Sequence, residues 1–191
     1  MLVEAIRRYA ANDLRPAAHE ADERGEFPPG LVSKGWELGV LQASVPERYG
    51  GFGDRSAVSG VLAAEELAWG DLAGALAILT PNAFALPVLL GGSDEQKQSW
   101  IPEVIRSGWR PYAAALFEPN FDFTPGELRT MATAENGGYA LSGRKTHVPF
   151  ASQAEQLLVF AELDGSPQAF VVPRAAEGLQ IGERLQLLGL H

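Results

Sequence analysis

The chain has 191 residues, of which 46% are hydrophobic and 20% charged, the balance of a folded globular protein with room for one large domain or two small ones. A formal net charge of −9 argues against nucleic acid as a partner, because phosphate binding needs clustered Lys and Arg. The absence of cysteine excludes disulfides, thiolate metal sites and a cysteine nucleophile, and His19, His147 and His191 are too far apart for metal-ligand spacing, so no metal is expected.

The first hundred-odd residues read as helical. Leu2, Ile6, Tyr9, Ala10 and Leu14 recur at helical spacing, and Glu4, Arg7, Arg8 and Asp13 among them exclude a secretory signal. Pro16 marks a kink, an end or a joint. Pro28 and Pro29 open a second helix through Leu38, closed by Gly39. Val45–Gly53 is a glycine-rich loop, but it lacks the strand and the Gly-Lys-Ser/Thr ending of a phosphate loop. Asp54 is placed to cap a helix with Val58, Val61, Leu62 and Trp69 on one face.

Asp71 to Leu90 is apolar nearly all round and reads as a buried central helix. Thr80, Pro81, Asn82 and Pro87 interrupt this stretch, which favours a core helix over a bilayer span, so a cytoplasmic chain without membrane insertion is expected. Ser93 and Gln96 have capping-box spacing, at the start of a helix with Trp100, Ile101, Val104 and Ile105 inward. Pro102 interrupts its second half.

After Pro111 the period changes. Tyr112–Phe117, Arg129–Ala134, Tyr139–Arg144, Gln156–Ala161, Gln168–Val172 and Leu179–Glu183 are of strand length. Asn136-Gly137-Gly138, Asp164-Gly165 and Glu177-Gly178 between them have turn chemistry. The expected organisation is α+β: an all-α domain over 1–110, then an antiparallel β-domain over 111–191.

Four landmarks occur in a familiar order: Val45-Pro46-Glu47-Arg48-Tyr49-Gly50-Gly51-Phe52-Gly53, Ala64-Glu65-Glu66-Leu67-Ala68, Gly92-Ser93-Asp94-Glu95-Gln96-Lys97 and Leu141-Ser142-Gly143-Arg144-Lys145. Together they resemble the acyl-CoA dehydrogenase family over nearly the whole chain. Taken singly, the glycines serve backbone geometry as readily as ligand contact, Glu65 and Glu66 suit solvated or interhelical roles, and Ser93–Lys97 suits a helix cap. The resemblance implies a β-barrel middle domain, incomplete here, and a C-terminal four-helix bundle that this chain lacks. It implies FAD as cofactor, an acyl-CoA thioester as substrate and a homo- or hetero-oligomer as the working form. In the family a glutamate removes the α proton while a hydride leaves the β carbon for the flavin. That base comes from the C-terminal bundle in most members, beyond His191, so no catalytic residue is expected within the chain.

The resemblance also implies cofactor contacts at Leu116, Phe117, Phe123, His147 and Pro149, and here the sequence departs from the family. Thr/Ser-Glu-Pro-x-x-Gly-Ser-Asp corresponds to Phe117-Glu118-Pro119-Asn120-Phe121-Asp122-Phe123-Thr124. Phe117 replaces a hydroxyl that would bond the flavin, Phe123 replaces a serine, and Asp122 brings a carboxylate where glycine would stand. Lys-x-Trp-Ile-Thr-Asn corresponds to Lys145-Thr146-His147-Val148-Pro149-Phe150. His147 stands for the tryptophan, and Pro149 has no N–H to offer. Two functions are therefore expected: a flavin-dependent acyl-CoA dehydrogenase chain, truncated before its base, or a non-catalytic, flavin-poor partner subunit. An inactive gene fragment is a third. A chain ending at His191 would leave a sheet edge and apolar helix faces uncovered, which predicts self-association.

Overall fold

The structure, a computed structural model, describes residues 2–53, 56–106, 108–187 and 189–190. Two compact units account for it: Met1–Arg110 with Arg184–His191, and Pro111–Glu183.

In the first unit, α1 (Leu2–Tyr9) passes through a π-helical turn (Ala10–Leu14) into α2 (Arg15–Arg24). The wider turn ends two residues before Pro16, an imino acid with no N–H for the ladder. Pro16 is thus a joint that the helix crosses, and Gly25, at φ 65°, ends it. α3 (Pro29–Trp36) follows, capped by Glu37 and so ending two residues before the expected Leu38; the chain turns on to Gly39 at φ 75°. The Asp54 cap assignment lies outside the described residues; Ser56 caps α4 (Ala57–Gly70), its side chain accepting from Ser59 N.

The face of α4 that carries its large apolar residues is not its packed face. Val58, Val61, Leu62 and Trp69 are exposed, while Ala63, Leu67 and Gly70 are buried. A Cβ on Gly70 would lie 2.9 Å from Ala10 Cβ and 3.0 Å from Ala10 O. The helix therefore packs through its small residues, which allow close backbone approach. Apart from Leu67, which is fully buried, its bulky apolar side chains face away.

α5 (Leu72–Gly91) is capped by Asp71 and buries Ala75, Ala77, Ile78, Phe84, Ala85 and Val88, as a core helix does. It is long and apolar enough to cross a membrane, but half of that stretch is buried within the fold. Pro81 removes the N–H that would bond the Ala77 carbonyl; Trp109 Nε1 donates to that oxygen instead, at 2.9 Å. α6 (Asp94–Ile105) begins with the full Ser93/Gln96 capping box and continues through Pro102. Ile101, Val104 and Ile105 point inward, and half-buried Trp100 packs edge-on against Phe84 at 5.8 Å.

The second unit holds β1 (Tyr112–Ala115), β2 (Met131–Glu135), β3 (Gly138–Ser142), β4 (Gln156–Leu163) and β5 (Ser166–Pro173) in one unclosed sheet. Two hairpins form where the turn chemistry predicts. Asn136 and Gly137 join β2 to β3, and Asp164 and Gly165 join β4 to β5, all four at positive φ. That is the geometry matching the twist of paired strands. The two hairpins pair antiparallel, as expected, while at the crossovers β1 and β2 each join β4 in parallel. Leu179–Glu183 forms no strand, although Leu179 and Ile181 pack against the Ala113, Ala154 and Leu157 core.

Candidate functional site

β5 pairs along the whole of β4, so β1 and β2 must share the other edge of β4. Ala115 pairs with Val159 and Met131 with Glu162. The segment 116–130 therefore leaves this edge and returns to it a few residues further along. β3 runs back along β2, with Met131 opposite Ser142, which carries the residues after Ser142 past the same place. Gly143 makes that passage possible: a Cβ there would lie 2.6 Å from Thr130 Cα and 2.5 Å from Thr130 Oγ1.

Glu118 is the hub of this crossing. Its Oε1 accepts from Thr130 N (2.8 Å), Thr130 Oγ1 (2.6 Å) and Lys145 Nζ (2.8 Å), and its Oε2 accepts from Arg129 N (2.7 Å). Lys145 Nζ also donates to the Leu116 carbonyl at 3.1 Å, and Thr146 N donates to the Phe117 carbonyl at 2.9 Å. The Glu118 and Lys145 side chains are 2% and 9% exposed, so this is a buried ion pair with its remaining polar capacity largely used. Burial pushes the Glu118 carboxyl up. The bonds from Lys145, Thr130 and the Arg129 and Thr130 backbone outweigh it and hold the carboxyl at about 2.

The hub positions the expected cofactor residues unequally. Leu116 and Phe117 are tied to Lys145 and Thr146 through their carbonyls. The Phe117 and Phe123 rings pack together, centroids 5.3 Å apart and tilted by 54°; Phe117 is half exposed. His147 is exposed with φ 51°, and Pro149 is half-buried. No hydrogen bond or ring contact among the described residues joins either to the phenylalanine pair. Asp122, on the rim, accepts from Asn120 Nδ2 (3.2 Å) and from Arg129 Nη2 (3.3 Å), and both hold its carboxyl below the usual range.

Glu118 and Lys145 are absent from the residues expected at the site. The signal that could have found them is that both match the family in segments whose neighbours depart from it. They are ionisable and lie 27 positions apart, so only the sheet topology brings them together.

The other landmarks serve structure. A Cβ on Gly51 would lie 2.0 Å from the Val45 carbonyl oxygen. Glu66 pairs with Arg7 across α1 and α4, and that contact lowers the Glu66 carboxyl. A cavity of about 100 Å³ lined by Ser44, Ser56, Ser59 and Ala63 is below the roughly 300 Å³ at which small-molecule sites begin. Among the described residues no group of three or more His, Asp or Glu could hold a metal.

The family profile described as acyl-CoA dehydrogenase, N-terminal domain, matches residues 1–108. The chain belongs to the acyl-CoA dehydrogenase family. It is 34% identical to the human mitochondrial short-chain specific acyl-CoA dehydrogenase, over 100% of this chain and 47% of that protein. Glutaryl-CoA dehydrogenase from Mycobacterium smegmatis, solved with FADH2, superposes with a TM-score of 0.84 at 27% identity, covering 99% of this chain and 48% of that one. Butyryl-CoA dehydrogenase from Megasphaera elsdenii gives 0.82 at 27% identity, covering 99% and 51%. The chain thus spans about half the length of the curated relatives it matches. Within this family frame the donor set does not match the one that the resemblance implies for FAD. Phe117 and Phe123 carry no hydroxyl, Pro149 carries no N–H, and the Lys145 ammonium is already engaged.

Proposed function

We propose that the protein takes part in the α,β-dehydrogenation of an acyl-CoA thioester, as a subunit of an oligomeric acyl-CoA dehydrogenase. The observation that carries this reading is the buried Glu118–Lys145 pair at 2.8 Å. It joins the two segments that the resemblance assigns to the cofactor, and it fixes their backbones at Leu116, Phe117 and Thr146. The butyryl-CoA and glutaryl-CoA dehydrogenases with the same fold support the substrate class. The reaction suits such a substrate, because the thioester carbonyl acidifies the α proton and a desolvated carboxylate is a stronger base for removing it. No residue of this chain is assigned that base.

The test is an assay of the protein at its full natural length, alone and with the subunits that purify with it. Straight-chain, branched and aryl acyl-CoA thioesters are offered together with an electron-accepting dye. Enoyl-CoA formation that disappears when this protein is left out is the expected result. No product from any of these thioesters, in either preparation, would sink the reading.

A further inference from the structure

We propose that the two cofactor segments of this chain keep the scaffold of a flavin cradle without its donors. The chain then holds no flavin of its own, and the flavin of the dehydrogenase sits on a different subunit. This rests on the reading of the protein as a dehydrogenase subunit.

The scaffold and the donors separate cleanly in the structure. The scaffold is the backbone of Leu116–Glu118, Arg129–Thr130 and Gly143–Thr146, fastened by the Glu118 hub and by the close approach of Gly143 to Thr130. Its polar groups bond one another: Glu118 takes four donors, and Lys145 is shared between Glu118 and the Leu116 carbonyl. Both side chains are buried against each other, Lys145 9% and Glu118 2% exposed. The large side chains exposed on the first segment are apolar: half-exposed Phe117 leaning on Phe123, and fully exposed Phe121. On the second segment, Pro149 presents no N–H. The exposed Asp122 carboxylate is paired with Arg129 and stands where the resemblance implies a glycine.

Each missing neutral donor weakens binding about fivefold, so the three at Phe117, Phe123 and Pro149 together weaken it about a hundredfold when they act independently. The rings add a steric obstacle. Because the loss lies in side chains on a retained backbone, it is reversible. The combined substitutions Phe117→Thr, Phe123→Ser and Pro149→Thr return two hydroxyls at the rings and an N–H at position 149.

The experiment uses the protein at its natural length, separated from other subunits. Absorbance in the visible flavin band is recorded, and FAD is titrated by fluorescence quenching. The wild-type protein is expected to be colourless, and the triple variant to bind FAD at least tenfold more tightly. Wild-type protein that retains equimolar FAD would overturn the inference. So would a triple variant with native circular dichroism and wild-type FAD affinity. If the triple variant does not fold, the Phe117→Thr/Phe123→Ser pair, which leaves the Pro149 turn intact, is read the same way with the same tenfold criterion. Yellow wild-type protein that dehydrogenates acyl-CoA rejects this inference alone. Colourless protein with no acyl-CoA turnover in any assembly rejects the reading beneath it.

Discussion

Lys145 Nζ lies 2.8 Å from Glu118 Oε1 in the interior of the sheet unit, and the same oxygen accepts the Thr130 hydroxyl at 2.6 Å. The three side chains therefore act on one atom, and their contributions to stability are coupled. Removing the ammonium in Lys145→Met leaves a buried carboxylate without its counter-charge, a loss of about 3–5 kcal/mol. Removing the hydroxyl in Thr130→Val costs about 1.5–3 kcal/mol, the range for a bond to a charged group. The double variant is expected to depart from additivity by more than about 0.5 kcal/mol. All 4 tryptophans, Trp36, Trp69, Trp100 and Trp109, lie in the helical unit, so their fluorescence reports on the wrong part. Hydrogen exchange at β2 and β4 amides is the measurement, and additive costs there would remove the hub from the account.

The same carboxyl makes the sheet unit sensitive to acid. Glu118 titrates near 4.5 when unfolded and at about 2 in the fold, so as pH falls the unfolded chain takes up the proton first. The stabilisation is complete above the unfolded value and fades as pH drops toward the folded one. It amounts to about 3 kcal/mol, with about 2 kcal/mol of that gone by about pH 3. In urea titrations followed by hydrogen exchange, the margin of wild type over Glu118→Gln should shrink by about that much between neutral pH and about pH 3. A margin that stays constant would show that Glu118 carries no depressed titration.

Much of the fold was legible because the signals are local. The capping box at Ser93 and the two positive-φ turns at Asn136-Gly137 and Asp164-Gly165 need only neighbouring residues. The inner face of α4 was not, because a pattern of hydrophobicity favours large side chains, whereas Ala63 and Gly70 are chosen by how closely another helix backbone approaches. The parallel pairing of β1 and β2 with β4 is equally invisible, since strand direction across a long connection leaves no local mark. Leu179 and Ile181 alternate as a strand would, and they do enter the core, but among the described residues no strand pairs with them, and Leu179 N donates to the Ala176 carbonyl of a turn instead. At the site, the departures at Phe117, Phe123 and Pro149 could be read directly. The Glu118 hub could not, because it exists only once the edge of β4 gathers three separate segments.

Glycines in this chain divide into those that space demands and those that it does not. A Cβ at Gly51 would meet the Val45 carbonyl oxygen at 2.0 Å, whereas a Cβ at Gly60, inside α4, would meet nothing within 4 Å. Gly51→Ala must displace backbone, and a loss of about 1–3 kcal/mol is expected, as for other overpacked sites. Gly60→Ala gains helix propensity and is expected to stabilise by about 0.5–1 kcal/mol. Both lie in the helical unit, so thermal unfolding followed by tryptophan fluorescence compares them directly. Equal effects of one sign would mean that the Val45–Gly53 loop is not closed as described.

The exposed face of α4 makes a prediction opposite to the one its hydrophobicity suggests. Val58 and Val61 are 71% and 66% exposed, so replacing both with serine removes little buried area, and serine has a helix propensity close to that of valine. The Val58→Ser/Val61→Ser variant should therefore unfold within about 0.5 kcal/mol of the parent chain. Were this face the packed one, the pair of substitutions would cost several kcal/mol through lost burial and cavities. Its effect should appear in solubility, because a contiguous apolar surface promotes association. Light scattering as a function of concentration should show less self-association for the variant than for the parent. A large stability loss in the isolated 191-residue chain would place Val58 and Val61 in a core after all, and with them the orientation of α4 would have to be reversed.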